Sequence, residues 1–332
     1  MFVVGIGISG CRTRADQASK RIQYRQSRLQ LGTLVNLNVC ATEEDAPRLG
    51  RAFNRIWSRF DEIYALMSLH KSGSDILRLN STYPQPVRID PTTYRLIESA
   101  VLLGRLTRGA FDITIRPLAL TWSHGQSQQS IPSHQVIFDR IRYVGDEYLR
   151  LIPPDQVQRL SDKVQVDLGG IAKGYAIDEA ARLFREEGFS DFFIDAGGDV
   201  YCGGVNCRGQ PWQIGIRHPR QPKKIIDVVF LQDMAATTSG DYARFYIIEG
   251  QKWSHIINPI TGYPQKGVAS ATVMAPDAMT ADALSTAFCV LPPRTSIPII
   301  DKMGPQYAAF ILQQTEDGRL IKKQSQYYTQ FQ

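Results

Sequence analysis

Apolar residues recur at helical spacing through APRLGRAFNRIWSRFDEIYALMS (46–68) and predict one long amphipathic helix that closes at Met67. Ahead of it, LGTLVNLNVCA (31–41) alternates apolar and polar side chains as a strand does. Within LHKSGSDILRLN (69–80), Ser74 has the chemistry of an N-cap and opens a short helix through Leu79. Residues 90–108 read as a further helix. HGQSQQSIPSH (124–134) is polar and Gln/Ser-rich, which predicts a surface loop. Strands are expected near Ile141–Val144, Tyr148–Ile152 and Val164–Leu168; in the last, alternation turns Val164, Val166 and Leu168 one way and Asp167 the other. Gly169 and Gly170 then enter a helix from about Ala172 to Glu187. More strand material follows in FIDAGGDVYCGG (193–204), Trp212–Ile216, Val228–Met234, Ala236–Ser239 and Arg244–Glu249. Near the end, the β-branched run Ser270–Met274 meets a Pro-bearing turn at Ala275–Asp277 and then an Ala/Leu-rich helix.

Many strands with three or four helices between them predict an α+β fold around extended, largely antiparallel sheets. No repeat and no boundary between independent domains is visible, so residues 30–332 read as one domain and residues 1–29 as a leading segment and tether. A chain of 332 residues, 43% hydrophobic and 10% aromatic, can fill a core of that size. The net charge is +6, but Lys and Arg are scattered, with no long basic run and no nucleic-acid motif. That pattern argues against a nucleic-acid partner and for a solvated basic surface, which also suits a position beside anionic lipid. No window approaches the roughly 20 apolar residues of a membrane span, so the body of the protein is expected to be soluble.

The start, MFVVGIGISGC, is a short apolar run ending in Ile8-Ser9-Gly10-Cys11, which looks like a bacterial lipobox. On that reading the chain is cut before Cys11, lipid is attached to its sulfur, and Arg12–Lys20 form a polar tether. The expected location is the bacterial cell envelope, lipid-anchored and facing the periplasm. The run is shorter than a usual signal peptide and has no Lys or Arg before it, and a cytoplasmic location follows if it is not an export signal. Of the other cysteines, Cys202 and Cys207 bracket GGVN, which reads as a hairpin turn, and could be bridged in an oxidising compartment; the sequence leaves the pairing open. Cys40 and Cys289 sit in apolar segments as expected buried thiols, and no Cys/His cluster has zinc spacing.

Candidate chemistry gathers in a few places. On the last helix Asp282 and Thr286 stand four residues apart, so a carboxylate and a hydroxyl project from one face and can reach one hard cation. The other reading has Asp282 solvating the first turn and Thr286 bonding a carbonyl one turn back. The entry Gly169-Gly170 lets backbone N–H groups approach an anion at a helix N-terminus, where Lys173 adds a point charge; close strand–helix packing explains the glycines equally well. His255, in WSHIINPITGYP (253–264), reads as a general base or as the residue that holds its turn. Asp241, in ATTSGDYARF (236–245), is the alternative acid or base, or orients His255 or a ribose hydroxyl. Phe111 and Tyr175 either pack against rings of a ligand or fill the core.

Those two turns, VDLGGIAKGYAID (166–178), FIDAGGDVYCGG and GAFDITIRPLALTW (109–122) occur in an order that resembles the ApbE family of FAD:protein FMN transferases, over roughly residues 30–315. The resemblance implies a single T-fold-like domain and a Mg²⁺-dependent transfer of FMN from FAD to a Ser or Thr hydroxyl, with AMP leaving. By resemblance, Mg²⁺ is held by Asp282, Thr286 and the backbone carbonyl of Ala172, with Ser285 as a secondary candidate. FAD contacts are implied at Leu31, Gly32, Thr33, Ser74, Ala110, Phe111, Asp112, Gly169, Tyr175 and Ile256. The implied acceptor is a flavoprotein such as a membrane redox subunit, and many family members are exported lipoproteins. Two positions depart from the family pattern: Leu31 stands where Met is frequent, and Asn258 where Asp is common before the Pro of the turn. Two other functions use the same parts: hydrolysis of FAD to FMN and AMP with water as acceptor, and non-catalytic FAD binding by a lipoprotein.

Overall fold

Strand alternation and helical periodicity are both realised in the computed structural model, which describes residues 21–332, residue 243 excepted. The first hairpin is β1 (Ile22–Gln30) and β2 (Thr33–Ala41), followed by the long helix α1 (Ala46–Met67), α2 (Asp75–Ser81), β3 (Val87–Arg88) and α3 (Pro91–Leu106). Two helices, α4 (Arg116–Gln128) and α5 (His134–Ile141), precede β4 (Leu149–Ile152), β5 (Gln156–Arg159) and α6 (Ala172–Glu186). Strands then dominate: β6 (Phe192–Ala196), β7 (Asp199–Gly203), β8 (Trp212–His218), β9 (Gln221–Leu231), β10 (Met234–Gly240), β11 (Phe245–Ile248), β12 (Gln251–Ser254) and β13 (Val268–Ala275). The chain ends with α7 (Ala278–Val290), α8 (Pro293–Asp301), β14 (Ala308–Gln314) and β15 (Leu320–Gln324).

One eight-stranded sheet, in the order β1-β2-β6-β7-β10-β13-β14-β15, organises the molecule, and all its pairings are antiparallel. Its central strands are covered on both faces. Helices α6 and α7 pack on one face and α1 lies over α6, while the β8–β9 hairpin and Tyr328 cover the other through Ile216, Val229 and Leu231. That double cover explains why β13 is buried along its whole length instead of alternating with solvent. A smaller cluster around Leu118, Trp122, Ile137, Ile248 and Ile257 joins α4 and α5 to the β11–β12 hairpin.

Several expectations are corrected. Among the described residues there are eight α-helices, not three or four, and the eight-stranded sheet already includes β1, inside the stretch assigned to the tether. Residues 124–128 are helical: α4 runs to Gln128 and stops because Gln129 turns left-handed (φ 49°) and the Ser130 N–H returns to the Gly125 carbonyl at 3.0 Å. No glycine marks that C-cap, so the polar composition hid it. Ile141–Val144 is the end of α5 and a turn. Val164, Val166 and Leu168 are buried as their alternation requires, yet the stretch has only a bridge between Ile115 and Gln165; the Asn80 side chain bonds both backbone groups of Val166, at 2.7 and 2.8 Å, in place of a neighbouring strand.

The cysteine pairing also differs. Cys40 is bridged to Cys207, while Cys202 is a buried thiol on the sheet face covered by the β8–β9 hairpin. The loop after β7 folds back past β6, where Asp191 accepts the Val205 N–H at 2.8 Å and its carbonyl accepts the Cys40 N–H at 2.9 Å. Cys207 thereby meets the end of β2. The lipobox and Cys11 lie outside the described residues.

Candidate active site

Antiparallel pairing gathers the turns at one end of the large sheet. Val35 faces Ala196, Ala196 faces Asp199, and Gly240 faces Ser270, so the β1–β2 turn, the β6–β7 turn and the end of β10 are neighbours. Leu31 and Gly32 make a two-residue turn with positive φ at both positions (54° and 74°), as the twist of a tight hairpin demands. Thr33 lies against Gly197, where a Cβ would fall 2.4 Å from the Thr33 hydroxyl, so only glycine fits. The entry of α6 reaches the same end, and Lys173 there contacts Asp199 at the start of β7.

Two buried backbones meet beside these turns. A Cβ on Gly174 of α6 would fall 2.2 Å from the Ala278 carbonyl oxygen, so the glycine lets α6 and α7 touch. The contact lets the Asp282 carboxylate, 4% exposed, accept the Gly174 N–H at 3.0 Å. Lys173 Nζ stands 3.5 Å from Asp282 Oδ1 and also contacts the Asp199 carboxylate, which accepts the Thr238 N–H at 3.0 Å. One turn along α7, the hydroxyls of Ser285 and Thr286 lie 2.8 and 3.3 Å from Ser239 Oγ on β10. Thr286 and the Phe111 ring both close on Gly170, at 3.6 and 3.1 Å from where its Cβ would be. Asp282, Thr286, Ser285 and Phe111 are therefore brought together with the α6 entry. The donors are carboxylate and hydroxyl oxygens without sulfur or imidazole, a set that fits a hard divalent cation. Among the described residues, no group of three or more His, Cys, Asp and Glu offers a different kind of metal centre.

His255 is partly enclosed, and its Nδ1 lies 2.7 Å from the Arg244 carbonyl oxygen. A carbonyl only accepts, so the neutral ring carries its proton on Nδ1 and leaves Nε2 as an acceptor. Burial holds the ring's pKa below the ordinary histidine value, and the Arg244 charge acts in the same direction. Ile256 is buried, its carbonyl accepting the Gln265 N–H at 2.9 Å. Asp241 does not orient His255: its carboxylate is gripped by Arg220, at 2.6 Å from Nη2, and Arg220 also reaches Gln314 at 2.7 Å.

Other expected ligands are employed locally. The Ser74 hydroxyl caps α2, accepting the Leu77 N–H at 3.1 Å, and donates to the Ser68 carbonyl at 2.7 Å. Asp112 accepts the Thr114 N–H at 2.7 Å beside the buried Ala110, and burial pushes its carboxyl above the usual carboxylate range. The Gly169 N–H, expected at an anion, is donated to Asp167 at 2.8 Å. Lys173, expected as a free point charge, is shared between two carboxylates. Tyr175 projects from α6 some 200° round from Lys173, its hydroxyl 3.2 Å from Arg59 Nη2, and lines a separate cavity of about 720 Å³ with Asp178 and Met279. Asp178, Asp199 and Ser239 were not singled out from sequence. Each lies within a motif that was, and only the antiparallel pairing and the α6–α7 contact reveal what they touch.

A family model described as the ApbE family matches residues 31–311. The chain is similar to the FAD:protein FMN transferase of Haemophilus influenzae, at 31% identity over 80% of this chain and 79% of the relative. It is 32% identical to the protein of the same name from Escherichia coli K12, over 78% of this chain and 76% of the relative. Among solved structures, the ApbE protein of Thermotoga maritima superposes with a TM-score of 0.84 at 32% identity, covering 93% of this chain and 99% of that one. Flavin transferase ApbE of Vibrio cholerae superposes with a TM-score of 0.82 at 27% identity, covering 94% and 100%.

Proposed function

This chain belongs to the ApbE family, and from that membership and the geometry at the sheet end we propose that it transfers the FMN half of FAD to a Ser or Thr hydroxyl of a target flavoprotein and releases AMP. The observation that carries the reading is the meeting of Asp282 and Thr286 with the glycine entry of α6; His255, whose Nε2 is left to accept, supplies the base in this reading. The acceptor oxygen attacks the phosphorus on the FMN side of the pyrophosphate. The bond to the AMP phosphate breaks, AMP leaves with the bridging oxygen, and FMN remains as a phosphoester. His255 Nε2 takes the proton of the attacking hydroxyl, and the bond from Nδ1 to the Arg244 carbonyl fixes the tautomer. Asp282 and Thr286, with the Ala172 carbonyl and Ser285, would hold Mg²⁺. When bound, the ion neutralises charge on the pyrophosphate, which in-line transfer at phosphorus requires more than covalent help.

The Cys40–Cys207 bridge supports an oxidising compartment, and with it the cell envelope; the reading there is a periplasm-facing protein, lipid-anchored at Cys11 and acting on a membrane redox subunit. Among the described residues no helix is long and apolar enough to cross a membrane. Incubation with FAD, Mg²⁺ and a candidate acceptor, followed by mass spectrometry, tests the reaction. A mass gain of one FMN less one water on the acceptor is expected, with one AMP released; AMP and free FMN over an unmodified acceptor would establish hydrolysis instead.

A further inference from the structure

The two helices that build the site cap each other. The first turn of any α-helix has N–H groups without an intrahelical partner. In α7 the N–H groups of Ala278 and Met279 are taken by the two oxygens of Asp178, on α6, at 2.7 and 2.8 Å. In α6 the N–H of Gly174 is taken by Asp282, on α7, at 3.0 Å. Between these two contacts lies the place where Gly174 meets the Ala278 carbonyl, so the helices are joined by a carboxylate above and below a direct backbone contact. A second carboxylate, Asp277, caps α7 from within its own chain segment, accepting the Thr280 N–H at 2.7 Å. It binds nothing on α6. The first turn of α7 thus has one cap from its own segment and one that comes from α6.

We infer that Asp178 is a positioning residue, whose bidentate grip on the start of α7 sets the placement of Asp282 and Thr286 against the α6 entry. The inference rests on the reading of Asp282 and Thr286 as cation ligands. It assigns to the α6–α7 pair a length standard: with Asp178 in place, α7 cannot slide along α6 without breaking two buried hydrogen bonds. Loss of Asp178 leaves both helices folded but lets Asp282 move relative to the Ala172 and Gly170 backbone.

Asp178→Ala and Asp277→Ala are compared with wild type in two measurements. The first is amide hydrogen exchange of Gly174 in the Mg²⁺-free protein, which reports the Asp282 half of the joint without any activity. Asp178→Ala should speed that exchange on the order of tenfold, as for coupled residues in one network, while Asp277→Ala leaves it unchanged despite a similar fall in Tm. The second is the Mg²⁺ concentration for half-maximal FMN transfer. It should rise on the order of tenfold in Asp178→Ala, with most of kcat recovered at saturating Mg²⁺, and stay at the wild-type value in Asp277→Ala. Asp178→Asn keeps one acceptor oxygen and should give an intermediate shift. Equal behaviour of the Asp178→Ala and Asp277→Ala proteins in both measurements would overturn the inference. Wild-type transfer that ignores Mg²⁺ would instead overturn the cation reading, and is distinguished because the Gly174 exchange difference persists.

Discussion

On the proposed mechanism His255 takes the proton of the attacking hydroxyl, and its environment sets a testable pH range. Burial disfavours the imidazolium, so the folded pKa lies below 6.5 and Nε2 remains an acceptor as pH falls through that value. The acid limb of the transfer rate should therefore have its midpoint below 6.5 in a pH–rate profile. Folding stability obeys the same sign: below 6.5 the unfolded chain gains a proton that the folded chain resists, so stability declines as pH drops from there toward the folded pKa. His255→Asn keeps a donor for the Arg244 carbonyl but has no basic nitrogen, so FAD binding should survive while transfer slows by roughly 10²- to 10⁴-fold. Stopped reactions with parallel FAD titrations separate the two. Asp282 poses the complementary test. Asp282→Ala leaves only hydroxyls and a carbonyl for the ion, so the Mg²⁺ midpoint should rise and added Mg²⁺ should restore only part of the rate. An Asp of purely structural use, serving only as acceptor for the buried Gly174 N–H, would cost about 1–3 kcal/mol in stability and leave the Mg²⁺ titration unmoved.

At the scale of elements, the close approach of α6 and α7 explains why GGIAKG reads ambiguously. Gly174 serves packing, Gly170 accommodates Thr286 and Phe111, and Gly169 serves a local turn with Asp167. Gly174→Ala should force the helices apart because its Cβ meets backbone, which cannot rotate away. The expected cost is that of overpacking, about 1–3 kcal/mol, measured by urea unfolding, with a weakened Mg²⁺ response because Asp282 loses its N–H partner.

For the whole molecule, the Cys40–Cys207 bridge ties the second strand to the loop beyond the fourth strand of the sheet, across 167 residues of sequence. A closure that long constrains the unfolded chain strongly, and removing such a bridge costs roughly 2–5 kcal/mol. Cys40→Ser should therefore lower Tm, and dithiothreitol should lower the wild-type Tm without further effect on the variant. Cys202→Ser should leave the dithiothreitol response intact, because Cys202 lies outside the bridge.

Local pattern was enough for the long helix at 46–67, the strand before it, the Ser74 cap, and the strand–turn–helix that delivers Asp282, because each is written in neighbouring residues: a period, a cap or a Pro-bearing turn. The family, and with it the antiparallel α+β architecture, was legible from motifs in order. Three things were not. The helical end at Gln128 was hidden because polar residues without a breaker look alike in loop and helix. The disulfide partner was misread because the nearest cysteine in sequence faces another core, and the true partner arrives through a chain reversal around Asp191. The partners of Lys173, Tyr175, Asp178 and Asp241 were beyond reach for the same reason: side-chain direction follows from residue spacing, but what lies opposite is decided by which elements the sheet register and helix packing bring together.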